Sequence, residues 1–260
     1  MAHLRCDFFS EVLGMGTSMT VLLPEAARRQ VGMTSVAPDG PPPVLYLLHG
    51  LSDDCTAWAR RTSIERYAAD RGLAVVMPQV ERSFYLDARH GHRYGTFVTE
   101  ELPRVVEHLV RVSARPEDTF VAGLSMGGYG ALRWALSRPD RFAAAASLSG
   151  ALDLATMQEQ DARAPLYEHI FGTQPMRGTR DDLFTLVGEC GAQAPPLYVA
   201  CGEEDSLLSS NEAFVERATA AGAEVRYDVG PGGHDWTYWD AAIQDVLAWL
   251  PIRASEGTRS

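Results

Sequence analysis

Residues 123–130 read GLSMGGYG, with Gly123 and Gly127 each two positions from Ser125. This is the G-x-S-x-G spacing of a nucleophile elbow, a strand-to-helix turn so sharp that side chains at those two positions would collide. Glycine relieves the crowding and lets the serine be held in a strained conformation with its Oγ projecting. The spacing gains weight only from its flanks. Here the apolar run TFVAG leads into the motif, and GYGALRWAL, a helical pattern, follows it. The N-terminus of such a helix favours negative charge developing beside it. The competing reading is a plain glycine-rich turn, which would need no catalytic partners further along the chain.

A serine hydroxyl needs a base to take its proton, and the base needs a carboxylate to orient it. Seven histidines compete for the first role. His234 lies in GPGGHDW, a glycine-rich loop between the last apolar strand and the last helix, and is the expected base. His49 ends a strand just before Gly50 and is read as structural. His3, His90, His92, His108 and His169 fall at the chain start, in a polar loop, in an amphipathic helix and in an irregular segment, and are read as surface or packing residues. For the carboxylate, CGEEDSLL offers Glu203, Glu204 and Asp205 directly after a buried strand. The turn must reach back toward the histidine, which favours Asp205. Asp228 sits within an alternating strand, and Asp235 suits the cap of the last helix. The chain order Ser125, Asp205, His234 is that of an α/β-hydrolase. Two backbone N–H groups should face the developing oxyanion. Met126, next to the nucleophile, and Leu51, after the run VLYLLHG, are the expected donors. Trp58, Tyr85 and Trp236 are candidates to line the acyl or alcohol pocket, with ordinary aromatic packing as the alternative.

These residues must be positioned by a regular frame. VLYLLHG (44–50), LAVVMPQ (73–79), TFVAG (119–123), FAAAASLSG (142–150), PLYVACG (196–202) and EVRYDVG (224–230) read as strands. Helical spacing covers 63–72, 94–112, 128–139, about 210–221 and about 236–250. Strands alternating with helices imply a mostly parallel, doubly wound α/β sheet covered on both faces. The first 40 residues lack helices and suggest two antiparallel strands added at the sheet edge. Residues 151–194 break the rhythm and are expected to form a small helical cap inserted into one α/β-hydrolase domain spanning 1–260. In open sheets of this kind, sites form outside the carboxyl ends of the strands.

Composition narrows the chemistry. The net charge of −11 argues against nucleic acid and anionic membrane as partners. The 23 basic residues are all arginine. With no lysine, Schiff-base chemistry, a Walker-type phosphate lysine and pyridoxal attachment are excluded. No apolar run approaches the length of a membrane span. Asp7 and Glu11 interrupt the start where a secretion signal would be apolar, so the expected compartment is the cytoplasm. The four cysteines, Cys6, Cys55, Cys190 and Cys201, are too widely spaced for a metal-ligand pair and are expected to be free thiols. No cofactor or metal is expected. Homo-oligomerisation stays open.

Taken together, LLHGLSDDCTAW, VVMPQVERSFYLD, TEELPRVVE, FVAGLSMGGYGALRWAL, YVACGEED and GGHDWTYWD resemble the tributyrin esterase or acetyl esterase group of the esterase D (S-formylglutathione hydrolase-like) family. The resemblance runs from about residue 5 to 250. It implies a cofactor-free carboxylesterase acting on short acyl chains, with a small-molecule ester as its partner. By position it matches Ser125, Asp205 and His234 to the family triad and Leu51 and Met126 to its oxyanion positions. The chain departs from the group after His49-Gly50, where relatives often carry glycine and this sequence reads LSDD. Two further enzyme readings share the machinery: thioester hydrolysis, as in S-formylglutathione hydrolases, and acyl transfer, as in mycolyltransferase relatives. A hydrolase-fold binding protein is the non-enzyme reading. Such proteins commonly lose the serine or the histidine, and both are present here.

Overall fold

The computed structural model describes residues 1–26, 31, 35–160 and 164–253. Its centre is one eight-stranded sheet: β1 (Ala2–Ser10), β2 (Met15–Leu23), β3 (Val44–Leu48), β4 (Ala74–Pro78), β5 (Thr119–Leu124), β6 (Ala144–Leu148), β7 (Leu197–Gly202) and β8 (Val225–Gly230). The spatial order is β1-β2-β4-β3-β5-β6-β7-β8. β1 pairs antiparallel with β2, and β2 antiparallel with β4, as the helix-free start suggests. The other pairings are all parallel.

The central strands are buried along their whole length because both faces are covered. Alternate residues go to opposite faces. Val44, Tyr46 and Leu48 join one core cluster, and Leu45 and Leu47 join the other. The first cluster is closed by α4 (Leu102–Leu109), α5 (Met126–Ser137), α8 (Leu183–Cys190) and α9 (Leu208–Ala220). The second is closed by α1 (Ala57–Arg61), α2 (Ile64–Ala69) and α10 (Trp236–Trp249). The remaining helices are α3 (Tyr94–Thr96), α6 (Leu154–Gln160) and α7 (Ala164–Phe171). All four cysteines are free thiols. No helix among the described residues is long and apolar enough to cross a membrane.

Three elements differ from the sequence expectation. The stretch 94–112 is not one α-helix: α3 runs into a π-helical turn at Phe97–Glu101, then α4, which ends at Leu109. Pro103, in the first turn of α4, has no N–H to bond back to the preceding turn, and the π turn absorbs the mismatch there. The turn also turns Glu101 toward the β1–β2 connection, where its carboxylate accepts from the Ser10 hydroxyl and from the Glu11 N–H at 2.8 Å. The short α1 has no counterpart in the periodicity. Finally, the segment 151–194 is divided. Its last helix, α8, buries Leu183, Leu186 and Val187 in the main core. The first part joins the same cluster through Leu154, Tyr167 and Ile170 and packs over the loop that follows β4. There Tyr167 of α7 packs on Phe84, and the carbonyls of His169 and Ile170 accept from the N–H groups of His90 and Arg89.

Candidate active site

The site is assembled at the carboxyl ends of β3, β5, β7 and β8. Ser125 follows β5 as the N-cap of α5, with φ 52° and ψ −116°, a left-handed conformation rarely taken by a non-glycine residue. Its carbonyl accepts from the N–H groups of Tyr129 and Ala151, and its N–H donates to the Leu148 carbonyl at 2.9 Å. The strain is therefore held on both sides by the sheet and the helix. The glycines do what the motif requires. A Cβ on Gly123 would overlap the Gly127 carbonyl, and one on Gly127 would overlap the Leu48 carbonyl. The serine thus lies at a point where β3, β5 and α5 meet at backbone contact distance.

His234 comes from the loop between β8 and α10. Its Nε2 lies 3.0 Å from Ser125 Oγ, and its Nδ1 lies 2.9 Å from Asp205 Oδ2 and 3.2 Å from Oδ1. The imidazole ring stands edge-on to Trp239, with centroids 5.0 Å apart. Asp205 comes from the turn after β7. That turn crosses the β8–α10 loop at contact distance, since a Cβ on Gly202 would overlap the Gly232 carbonyl. The Glu203 and Glu204 N–H groups donate to the carbonyls of Gly230 and Gly232. This crossing brings Asp205 to His234 and leaves the Glu203 and Glu204 side chains in solvent. Asp205 itself is 5% exposed. Burial alone would raise its carboxyl, but the bonds from His234 and the Leu207 N–H, with the Ser149 hydroxyl facing it, outweigh burial and hold it below the ordinary value of 3.8.

Sequence reasoning did not single out the residues behind Asp205. Ser149 follows β6 with φ 49°, is fully buried, and faces both Asp205 and Cys201 without a hydrogen bond of full geometry to either. Cys201 beside it is pushed up to about 12 by burial and stays a thiol. Asn211 of α9, also fully buried, donates to the carbonyls of Gly150 and Leu207 at 2.9 and 2.8 Å. It ties the turn carrying Ser149 to the turn carrying Asp205. The signal available in the sequence was position alone: SLSG ends its strand at the same sheet edge as GLSMG.

The loop after β3 lies against the serine. A Cβ built on Gly50 would lie 3.8 Å from the Ser125 Cβ. His49 is structural, as expected. It is 1% exposed, its Nδ1–H donates to the Gly50 carbonyl at 2.8 Å, and its Nε2 accepts from the Val80 N–H. Burial lowers its pKa, in keeping with a neutral ring. The Asp53 carboxylate accepts from the Gly50 N–H at 3.2 Å. Leu51, next in line, is half-buried in the turn, and Met126 opens the first turn of α5. The other five histidines are exposed. Asp235 caps α10 through the N–H groups of Thr237 and Tyr238, and Asp228 pairs with Arg226 and the Tyr198 hydroxyl.

The aromatic candidates need correction. Trp58 is 1% exposed; its indole N–H donates to the Leu48 carbonyl, and its ring belongs to the core. Tyr85 is 2% exposed, and its hydroxyl donates to the His49 carbonyl at 2.9 Å. Both brace the backbone of the β3 loop instead of lining a pocket. The reason is common to both: a large ring with one polar atom can fill a core and still satisfy a buried carbonyl. Trp236 is half-exposed, edge-on to Trp58 and Trp239, and remains at the surface near His234.

An α/β-hydrolase sheet with a serine elbow at its carboxyl edge defines a serine hydrolase, here a carboxylic ester hydrolase. The Esterase family, described as "Putative esterase", matches residues 10–250. The acetyl esterase of Caldicellulosiruptor saccharolyticus is 30% identical over 96% of this chain and 98% of that protein. Among solved structures, the Staphylococcus aureus fluorophosphonate-binding serine hydrolase F is 35% identical, with a TM-score of 0.87 over 97% of this chain and 99% of that one. The S-formylglutathione hydrolase (FrmB) from Staphylococcus aureus is also 35% identical, with a TM-score of 0.84 over 96% and 98%. The chain belongs to this esterase family, in its esterase D-like group.

Proposed function

We propose that the protein hydrolyses short-chain acyl esters through a Ser125-His234-Asp205 triad and an acyl-enzyme intermediate. The observation that carries this reading is the continuous chain of contacts, 3.0 Å from Ser125 Oγ to His234 Nε2 and 2.9 Å from His234 Nδ1 to Asp205. Ser125 Oγ attacks the acyl carbon while Nε2 takes its proton. Asp205 accepts from Nδ1–H and so fixes the tautomer that presents a free lone pair to the serine. The Met126 and Leu51 N–H groups are the proposed oxyanion donors. Met126 opens a helix whose first N–H groups have no partner within the helix, and Leu51 adjoins the glycine that lies against Ser125. His234 then returns the proton to the departing alcohol, and the same base activates water to release the acid.

Labelling with a fluorophosphonate probe tests the nucleophile. One mole should bind per mole of folded protein, at Ser125, and Ser125→Ala should abolish both labelling and hydrolysis. An unlabelled folded wild type would end the proposal. A series of p-nitrophenyl esters from acetate to octanoate then tests the chain length, with kcat/KM expected to fall beyond the shortest members. The likeness to FrmB favours one second reading, thioester hydrolysis with the same residues. A rate on S-formylglutathione well above that on p-nitrophenyl acetate would select it.

A further inference from the structure

β1 lies at the end of the sheet, paired with β2 along all nine of its residues and flanked by no strand on its other side among the described residues. Nine residues of unpaired edge are long, and such edges are usually covered, bulged or shortened. Two apolar side chains of this strand are exposed beside its charged ones. Leu4 is 37% exposed and Phe9 60% exposed, two of the few large hydrophobic side chains left in solvent among the described residues. The side chains of His3, Arg5, Asp7 and Phe9 share the outer face, and those of Ala2, Leu4, Cys6, Phe8 and Ser10 share the inner one.

We propose that this edge pairs antiparallel with β1 of a second copy of the chain, with Cys6 opposite Cys6 at the two-fold axis. The charge pattern selects both the occupant and the register. With Cys6 on the axis, Arg5 of each protomer stands directly opposite Asp7 of its partner. Within one chain Arg5 already reaches Asp7 at 3.3 Å. Two copies would therefore form an alternating square of two arginines and two aspartates, with cross-strand Cβ atoms about 5 Å apart. A slip by two residues one way would set Arg5 against Arg5, and the other way Asp7 against Asp7. The same register sets Leu4 opposite the partner's Phe8 on the inner face, and Phe9 opposite the partner's His3 on the outer. A strand of unrelated sequence would match the backbone edge but not this self-complementary order. The result is an isologous contact that joins two eight-stranded sheets into one.

Sedimentation velocity across a concentration series reads the assembly, with circular dichroism confirming that each variant is folded. Wild type should be a concentration-dependent dimer. Arg5→Asp sets Asp against Asp, and Asp7→Arg sets Arg against Arg; each should weaken association at least about tenfold. The double variant R5D/D7R restores both opposite-charge pairs and should dimerise again. An equimolar mixture of the two single variants should form a heterodimer, since one chain then carries two acids and the other two arginines. Amide exchange should show β1 protected in wild type and exposed in either single variant. A wild type that stays monomeric at hundreds of micromolar overturns the proposal, and so does a dimer that survives both single reversals or a double variant that fails to recover.

Discussion

At the scale of the residue, the proposed chemistry turns on how Asp205 is held. Its carboxylate receives His234 Nδ1–H and the Leu207 N–H, and the turn that carries it is tied down by Asn211. Asp205→Asn offers His234 an amide that can hold the imidazole in the wrong tautomer. With the elbow unchanged, kcat for p-nitrophenyl acetate should fall on the order of 10⁴-fold while KM changes little. A loss below tenfold would mean that another carboxylate orients the histidine. The same contacts give a pH signature. The carboxyl of Asp205 lies below its ordinary value of 3.8 in the fold, so its charged form is favoured by folding. A depressed acid contributes its full stabilisation above its unfolded value and loses it as pH falls through the folded one. The gap in urea stability between wild type and D205N should therefore be constant from neutral pH down to about pH 4 and shrink only below it. A gap that closed between pH 7 and 5 would assign the effect to another group. That Ser125, His234 and Asp205 would meet at one place was legible in the sequence, because each ends or follows an apolar run at one sheet edge. Ser149 and Asn211 were not, because a buried hydroxyl or amide that pins a turn leaves no periodic trace. Trp58 and Tyr85 were left between pocket and core for a related reason: sequence shows that an aromatic ring lies near a site, but not which way it turns.

At the scale of the element, the turn that carries Ser125 is a packing device. Gly123 sits where a methyl group would meet the Gly127 carbonyl and the Leu48 side chain, while Gly16 in β2 has open space around it. Gly123→Ala should therefore cost roughly 3 kcal/mol in urea unfolding and most of the esterase activity, since relief of the clash must move Ser125. Gly16→Ala adds the same methyl group where nothing opposes it and should leave both unchanged within error. Equal effects at the two positions would show that backbone freedom, and not close approach, is what Gly123 supplies. The parallel strands were readable because a strand covered on both faces is a short, continuous apolar run. The π turn at Phe97–Glu101 was not, because its cause is a mismatch between Pro103 and the helix ahead of it. The division of 151–194 was hidden as well: α8 buries only part of its surface and has the look of any short amphipathic piece until α5 and α9 are placed beside it.

At the scale of the whole molecule, charge acts on which esters arrive. The chain carries 34 acidic residues against 23 arginines, a net charge of −11. A field of that sign repels anionic substrates over a Debye length, about 10 Å at 0.1 M salt and longer below it. Neutral esters feel no such force. Between low and physiological ionic strength, kcat/KM for a mono-anionic ester such as p-nitrophenyl succinate should rise, because salt screens the repulsion. The value for p-nitrophenyl acetate should stay flat. The pair of substrates separates encounter from chemistry, since both present the same leaving group to Ser125 and His234. Were the succinate rate instead to fall with salt, the approach to the serine would have to be locally positive despite the net charge. Arginines near the β4–α3 loop, Arg82 and Arg89 first, would then be the side chains to replace, since both are exposed.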